Sequence, residues 1–257
     1  MEYTKLTVER EDGYVVAAIN HPPANAMAQG VLLDLNALLD ECLEDGDVRA
    51  IVITGTGNKL FSAGADITEF AGYQEGAKPK INGVDVYNRI EKYPKPIIAA
   101  IQGYALGGGL ELAMSCHLRF MSSSAKVGLP EVTLGILPGW GGTQRLPRLV
   151  GKTKALEMML TGAPIGADEA LQYGLVNKVY PREEVLNEAK AFAARLGKGA
   201  PIAMKAILRA VAEGLETTIA EGIKIEQEGS LMCFASEDAK EGSTAFLNKR
   251  PAVFKGK

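Results

Sequence analysis

Between Lys95 and Ser115 the chain reads KPIIAAIQGYALGGGLELAMS: an apolar run, three glycines, then helix formers carrying one carboxylate. An apolar strand that empties through Gly107, Gly108 and Gly109 into a helix leaves the first backbone N–H groups without intrahelical partners. Such a helix start favours an anion. Glu111 follows Gly108 by three residues and returns to the same helix face about one turn on. Two readings stand: a tight turn with a first-turn glutamate favoured by the helix dipole, or bare donors and a carboxylate facing one space. A membrane-spanning helix over Pro96 to Met114 would bury Glu111 in lipid at a cost of roughly several kcal/mol, so a buried strand and helix fit better.

At 257 residues the chain suits one compact domain, or a main domain with a smaller appendage. Hydrophobic residues are 47% and charged residues 23%, which excludes disorder. Lys and Arg number 28 against 31 Asp and Glu, a net charge of -3, so the overall field that draws nucleic acid is missing and no nucleic-acid or membrane partner is expected. The start MEYTKLTVER lacks an apolar signal core, and the cytoplasm is the simplest address. Cys42, Cys116 and Cys233 are widely spaced, with no CxxC, and the only histidines are His21 and His117. Neither a disulfide framework nor a metal site is expected, and His117 reads as a packed core histidine.

Taken in order, Leu6 to Arg10 and Val15 to Asn20 predict a hairpin about Asp12-Gly13, and apolar residues from Val31 to Leu43 recur at helical spacing. Arg49 to Thr54 has the continuous apolar character of a strand covered on both faces. Residues 71 to 83 read as a mobile loop, Val84 to Tyr93 as a helix, and Ile97 to Gln102 as the strand that feeds the glycines. A strand follows near His117 to Met121, with helix starts at Gly142 and Lys152, helices over Ala167 to Tyr173 and Glu183 to Leu196, and a strand at Leu175 to Tyr180. Beyond Gly197 the pattern is wholly helical, which divides the chain into an alternating core, 1–196, and a helical region, 197–257. Gly151-Lys152-Thr153 is like the end of a phosphate-binding loop, but that motif needs a glycine where Leu146 stands, and GxGxxG is absent at Gly107.

SAGAD from Ser62, GYALGGGLELA from Gly103, PEVTLGILPGWGGTQRL from Pro130 and EDAKEGSTAFLNKRPAVFKGK from Glu237 occur in this order. Together they resemble the enoyl-CoA hydratase (crotonase) family over essentially the whole chain. The resemblance implies an α/β fold, a spiral of repeated ββα units with a C-terminal helical region that forms trimers, often as a dimer of trimers. It implies an acyl-CoA thioester substrate, with coenzyme A part of that substrate and no separate cofactor. It places the oxyanion-hole donors at Ala65 and Gly108, and the catalytic carboxylates at Glu111 and Glu131, with Glu131 handling the proton at C2 and Glu111 the water. It places substrate and coenzyme A contacts at Ala24, at Ala63, Gly64, Asp66, Ile67 and Phe70 around the SAGAD turn, at Gly107, at Gly139 and Trp140, and at Phe246 and Lys249 of the tail.

Two stretches depart from the family pattern. His21-Pro22-Pro23-Ala24-Asn25-Ala26 stands where many hydratases carry an Arg-Pro-Lys-like start, and Trp140 stands where many short-chain hydratases have a small residue. Trp140 either reshapes the acyl pocket or is a packed aromatic. Hydration of a 2-enoyl-CoA is the favoured expectation, because both glutamates are present. The alternatives are a sibling enolate reaction on acyl-CoA, such as isomerisation, decarboxylation or a specialised hydration, and a non-catalytic acyl-CoA- or RNA-binding member.

Overall fold

The computed structural model describes residues 3–57, 59–69 and 78–257. Four consecutive units repeat the order strand, strand, helix. The first is β1 (Leu6–Glu11), β2 (Tyr14–Ile19) and α1 (Gln29–Glu44), and the second is β3 (Ala50–Gly55), β4 (Leu60–Ser62) and α2 (Gly83–Glu91). The third is β5 (Ile97–Ile101), β6 (Tyr104–Leu106) and α3 (Gly108–Ser115), and the fourth is β7 (Leu118–Ser122), β8 (Lys126–Gly128) and α4 (Gly142–Val150). Then follow α5 (Lys152–Thr161), β9 (Ile165–Gly166), α6 (Ala167–Gln172), β10 (Lys178–Tyr180) and α7 (Val185–Gly197). The chain closes on α8 (Pro201–Gly214), α9 (Ile219–Phe234) and α10 (Glu237–Leu247).

The units wind into a spiral because each of the last three places its first strand in one sheet and its second strand in another. One sheet has the order β1-β2-β3-β5-β7-β10 and the other β4-β6-β8-β9. Apart from the antiparallel pairs β1–β2 and β8–β9, neighbours are parallel.

The long apolar strands follow from burial on both faces. Val15, Ala17, Ile51, Ile53, Ile97 and Ala99 enter one core with Leu32, Leu35 and Leu39 of α1 and Tyr87 and Ile90 of α2. The alternate residues Val16, Val52, Ile98 and Ala100 enter a second core against Val185, Ala189 and Ala193 of α7. Period-two alternation is therefore present, but both phases are apolar. Each fully buried large aliphatic side chain contributes about 1.5–3 kcal/mol, which makes this doubly covered sheet the main source of stability.

The apolar run at Ile97 does not pass directly into the glycine helix. It breaks at Gln102-Gly103, and the chain crosses from one sheet to the other before β6 leads to α3. Gln102 is buried there; its amide donates to the carbonyls of Gly55 and Gly57, and its side-chain oxygen accepts from the Thr54 hydroxyl. Strands of two or three residues, such as β4, β6, β8 and β9, are too short for periodicity to reveal. The strand expected over Leu175 to Tyr180 is shorter, Lys178–Tyr180, while Leu175 and Val176 are buried in the turn before it. His117 is packed as expected, its Nδ1 accepting the Ile97 N–H at 2.8 Å, and burial pushes its pKa down to about 4. Most of the loop expected over 71–83 lies outside the described residues.

The helices α8 to α10 are tied to the core by Arg49, whose guanidinium donates to the carbonyls of Gly197, Gly199 and Phe254 at 3.3, 3.2 and 2.8 Å. Asp238 closes the C-terminus by accepting the N–H groups of Lys255 and Gly256. Much of the apolar surface of these helices remains uncovered, including Ile207 at 62% and Ile219 at 84% exposure. No described helix is long and apolar enough to cross a membrane.

The sheet crossover at Gly103 has no room for a side chain, since a Cβ there would lie 2.0 Å from the Lys59 carbonyl oxygen. Gly103→Ala is expected to lower stability by about 1–3 kcal/mol through this backbone clash. Urea unfolding would show a lower midpoint at an unchanged slope.

Candidate active site

Every residue of α3 is buried, and the helix begins where Gly107 adopts φ 50°. That left-handed turn suits glycine, and a Cβ on it would lie 2.8 Å from Oε1 of Glu131. Gly64, in the SAGAD turn, also has a positive φ of 113°, and it packs against the Leu106–Gly108 backbone. A Cβ built on Gly108 would sit 3.3 Å from the Ala65 nitrogen, so the two expected donors are neighbours although 43 positions separate them in sequence. Among the described residues, neither the Ala65 nor the Gly108 N–H has an acceptor. Two such donors side by side can bind an oxyanion.

The SAGAD turn is held by its neighbours rather than by regular structure. The Ala63 N–H donates to the Ala24 carbonyl at 3.0 Å, and the Met27 N–H donates to the Gly64 carbonyl at 2.8 Å. The segment His21 to Ala26 is in turn braced by Asn25, whose amide donates to the carbonyls of Thr56 and Leu60. Asp66 turns its carboxylate to the N–H and hydroxyl of Thr68, which hold its pKa below the ordinary carboxylate value. Ile67 is exposed and opens a short 3-10 turn to Glu69. Phe70 lies outside the described residues.

The structure brings the two glutamates together. Glu111 is only 2% exposed, and its Oε1 accepts the N–H groups of Trp140 at 2.7 Å and Gly142 at 2.8 Å. Burial pushes its pKa up to about 7; the Glu131 charge pushes the same way, while the two N–H bonds and Arg145 oppose the rise. Glu131 stands on a 3-10 turn, Pro130–Leu134, and burial raises its pKa as well. Its Oε2 is buried with no hydrogen-bond partner among the described residues. Two carboxyls that resist ionisation therefore face the space beside two free N–H donors, an arrangement that can move protons about an anionic intermediate.

Trp140 is a packed aromatic. Its ring lies against Gly83 and Gly108, with no room for a Cβ on either, and meets Tyr87 edge-on at 5.6 Å. Gly139 beside it is exposed. Phe246, 82% exposed, and Lys249 stay on the surface at the end of α10. Two supporting residues had no signal in the sequence: Tyr87, whose hydroxyl donates to the Gly108 carbonyl at 2.8 Å, and Arg145, buried beside the Trp140 carbonyl. Only packing distinguishes them from ordinary helix residues. Among the described residues, no cluster of three His, Cys, Asp or Glu could hold a metal.

The raised Glu111 pKa carries a stability consequence. The folded chain binds this proton more tightly than the unfolded one, so its stabilising effect is full below pH 4.5 and is lost as pH rises through about 7. Glu111→Gln imitates the protonated carboxyl and keeps an oxygen for both N–H donors. It is expected to melt near wild type at pH 5 and to gain up to about 3 kcal/mol over wild type at pH 8. Calorimetry at the two pH values checks this, and equal stability at both would assign Glu111 an ordinary carboxylate pKa.

The enoyl-CoA hydratase/isomerase family model matches residues 9–257. The short-chain-enoyl-CoA hydratase of Clostridium acetobutylicum is 44% identical over 253 residues, 97% of each chain. The crotonyl-CoA hydratase of Syntrophomonas wolfei is 44% identical over 257 residues, 99% of each. A crystal structure of an enoyl-CoA hydratase from Bacillus anthracis superposes with a TM-score of 0.92 at 34% identity, covering 99% of this chain and 100% of that one. With its spiral of ββα units and a match that runs almost from end to end, the chain belongs to the enoyl-CoA hydratase/isomerase family.

Proposed function

We propose that this protein reversibly adds water to trans-2-enoyl-CoA thioesters, giving 3-hydroxyacyl-CoA through a thioester enolate. The observation that carries this reading is the meeting of the buried Glu111 carboxyl and the half-buried Glu131, whose Oε2 has no partner among the described residues, beside the free N–H groups of Ala65 and Gly108. The thioester oxygen accepts from both N–H groups. Glu111, ionised, takes a proton from water as its oxygen bonds to C3, and Glu131, protonated, delivers a proton to C2. Charge builds on the thioester oxygen, where fixed donors stabilise it most. Net transfer leaves the proton on Glu111, and its return to Glu131 resets the site. Hydration moves no electrons, so the reaction requires no redox cofactor, and coenzyme A enters as part of the substrate.

Relatives named for short-chain and crotonyl substrates support a short acyl chain, as does the indole packed over Gly108. The uncovered residues of α8 and α9, among them Ile207, Ile219 and Phe234, support a homotrimer or a dimer of trimers. In such an assembly Phe246 and Lys249 would close over the coenzyme A of a neighbouring subunit. The core 1–196 would carry the chemistry and 197–257 the assembly, within fatty-acid β-oxidation in the cytoplasm.

Loss of enoyl-thioester ultraviolet absorbance across C4 to C16 substrates tests the reading, with C4 expected to turn over fastest. Glu111→Gln and Glu131→Gln should each lose about 100- to 10,000-fold in kcat, and Gly108→Pro, which removes a donor, about 100- to 1,000-fold. Near wild-type turnover in either glutamine variant would overturn the two-carboxylate mechanism. Because one carboxyl must be ionised and the other protonated, kcat/KM for crotonyl-CoA should be bell-shaped, with one limb near pH 7 set by Glu111. A flat profile from pH 5 to 9 would contradict it.

A further inference from the structure

Glu111 is aimed through one of its two oxygens. Oε1 is held by the N–H groups of Trp140 and Gly142, so the direction of the carboxyl is set by a three-residue segment from another unit of the spiral. Gly141, between the donors, has φ 108°, the left-handed turn that lets both flanking N–H groups point at one atom. The carbonyls of this segment converge on Arg145. Its backbone N–H donates to the Gly141 carbonyl at 2.8 Å, and its guanidinium Nη1 donates to the Trp140 carbonyl at 2.9 Å. The rest of the guanidinium grips α2: Nε and Nη2 donate to Oε2 of Glu91 at 3.0 and 2.8 Å, and Nη2 donates to Oδ1 of Asn88 at 2.6 Å. Arg145 is only 7% exposed, although its Glu91 partner is 42% exposed on the side chain.

We infer that Arg145 is a positioning residue for Glu111: its fork, anchored on Asn88 and Glu91, fixes the Trp140 and Gly142 N–H groups that aim the Glu111 carboxyl at the reacting water. The inference deepens the hydratase reading and rests on it for the identity of the water. A planar guanidinium serves three acceptors in one plane, whereas a lysine ammonium keeps the charge without the fork. The groups that face Glu111 are Glu131 from the 3-10 turn, Arg145 from α4 and the Tyr87 hydroxyl from α2, with Glu91 pairing Arg145. Arg145→Lys keeps this charge pattern, so a change in Glu111 titration there reads the loss of the two backbone donors rather than of a charge.

The test measures kcat, KM and the Glu111 titration midpoint, the last by 13C NMR of glutamate-labelled protein with Glu111→Gln for assignment. Arg145→Lys is expected to lower kcat about 10- to 100-fold, to leave KM for crotonyl-CoA within about two-fold, and to raise the Glu111 midpoint, since bonds that favour the ionised form are lost. Asn88→Ala, which leaves Arg145 in place and touches neither glutamate, should move both quantities the same way by a smaller factor of about 2 to 5. A folded Arg145→Lys with wild-type kcat and an unmoved midpoint overturns the inference, whatever its melting temperature. Should Arg145→Lys fail to fold, Asn88→Ala decides: unchanged kcat and midpoint there overturn it equally. A wild-type protein that hydrates no enoyl thioester overturns the reaction assigned above, while the Glu111 titration still decides the role of Arg145.

Discussion

A carboxyl group inside a helix with no exposed residue is the constraint on which the rest of the site depends. Taking Glu111 out of water disfavours its charged form, and a buried carboxylate lacking donors would simply hold its proton. The Trp140 and Gly142 N–H groups restore part of the lost solvation, and Arg145 opposes the rise further. The balance falls near neutrality, where the group can both take and give a proton. Other features follow from the same requirement, including the left-handed Gly141, the arginine buried behind it and the indole laid over Gly108.

The spiral explains how motifs distant in sequence meet at this point. The parallel pairing of β4, β6 and β8 sets three successive strand ends side by side. SAGAD follows from the end of β4, the glycine cluster from β6, and Glu131 from β8. Each turn of the spiral therefore delivers one component: a donor, a donor with a carboxylate, and a second carboxylate. The larger sheet keeps these ends in register because both of its faces are packed, which leaves its strands little freedom to slide.

The C-terminal helices follow a different logic. Apolar residues of α8 and α9 such as Ile207, Ile219 and Phe234 stay exposed, while Arg49 ties the region to the core and Asp238 pins the C-terminal tail onto α10. This outward apolar face is where the proposed association with further copies of the chain would form.

The sequence alone determined the strand character of Arg49 to Thr54 and Ile97 to Gln102, the helix starts at Gly142 and Lys152, and a glycine turn before Glu111, with free N–H groups as one of its two readings. These follow from local physics: apolar runs, backbone freedom and helix ends. Through motif resemblance it also singled out Ala65 and Glu131. Only the tertiary structure decided that Gln102-Gly103 is a crossover between two sheets, that Trp140 packs on Gly83 and Gly108, and that Arg145 holds the segment gripping Glu111. Nothing in the residues near Arg145 or Trp140 specifies those partners, because each contact joins units brought together by strand pairing. The shift of Glu111 toward neutrality has the same origin, since desolvation is a property of the packed interior rather than of the glutamate.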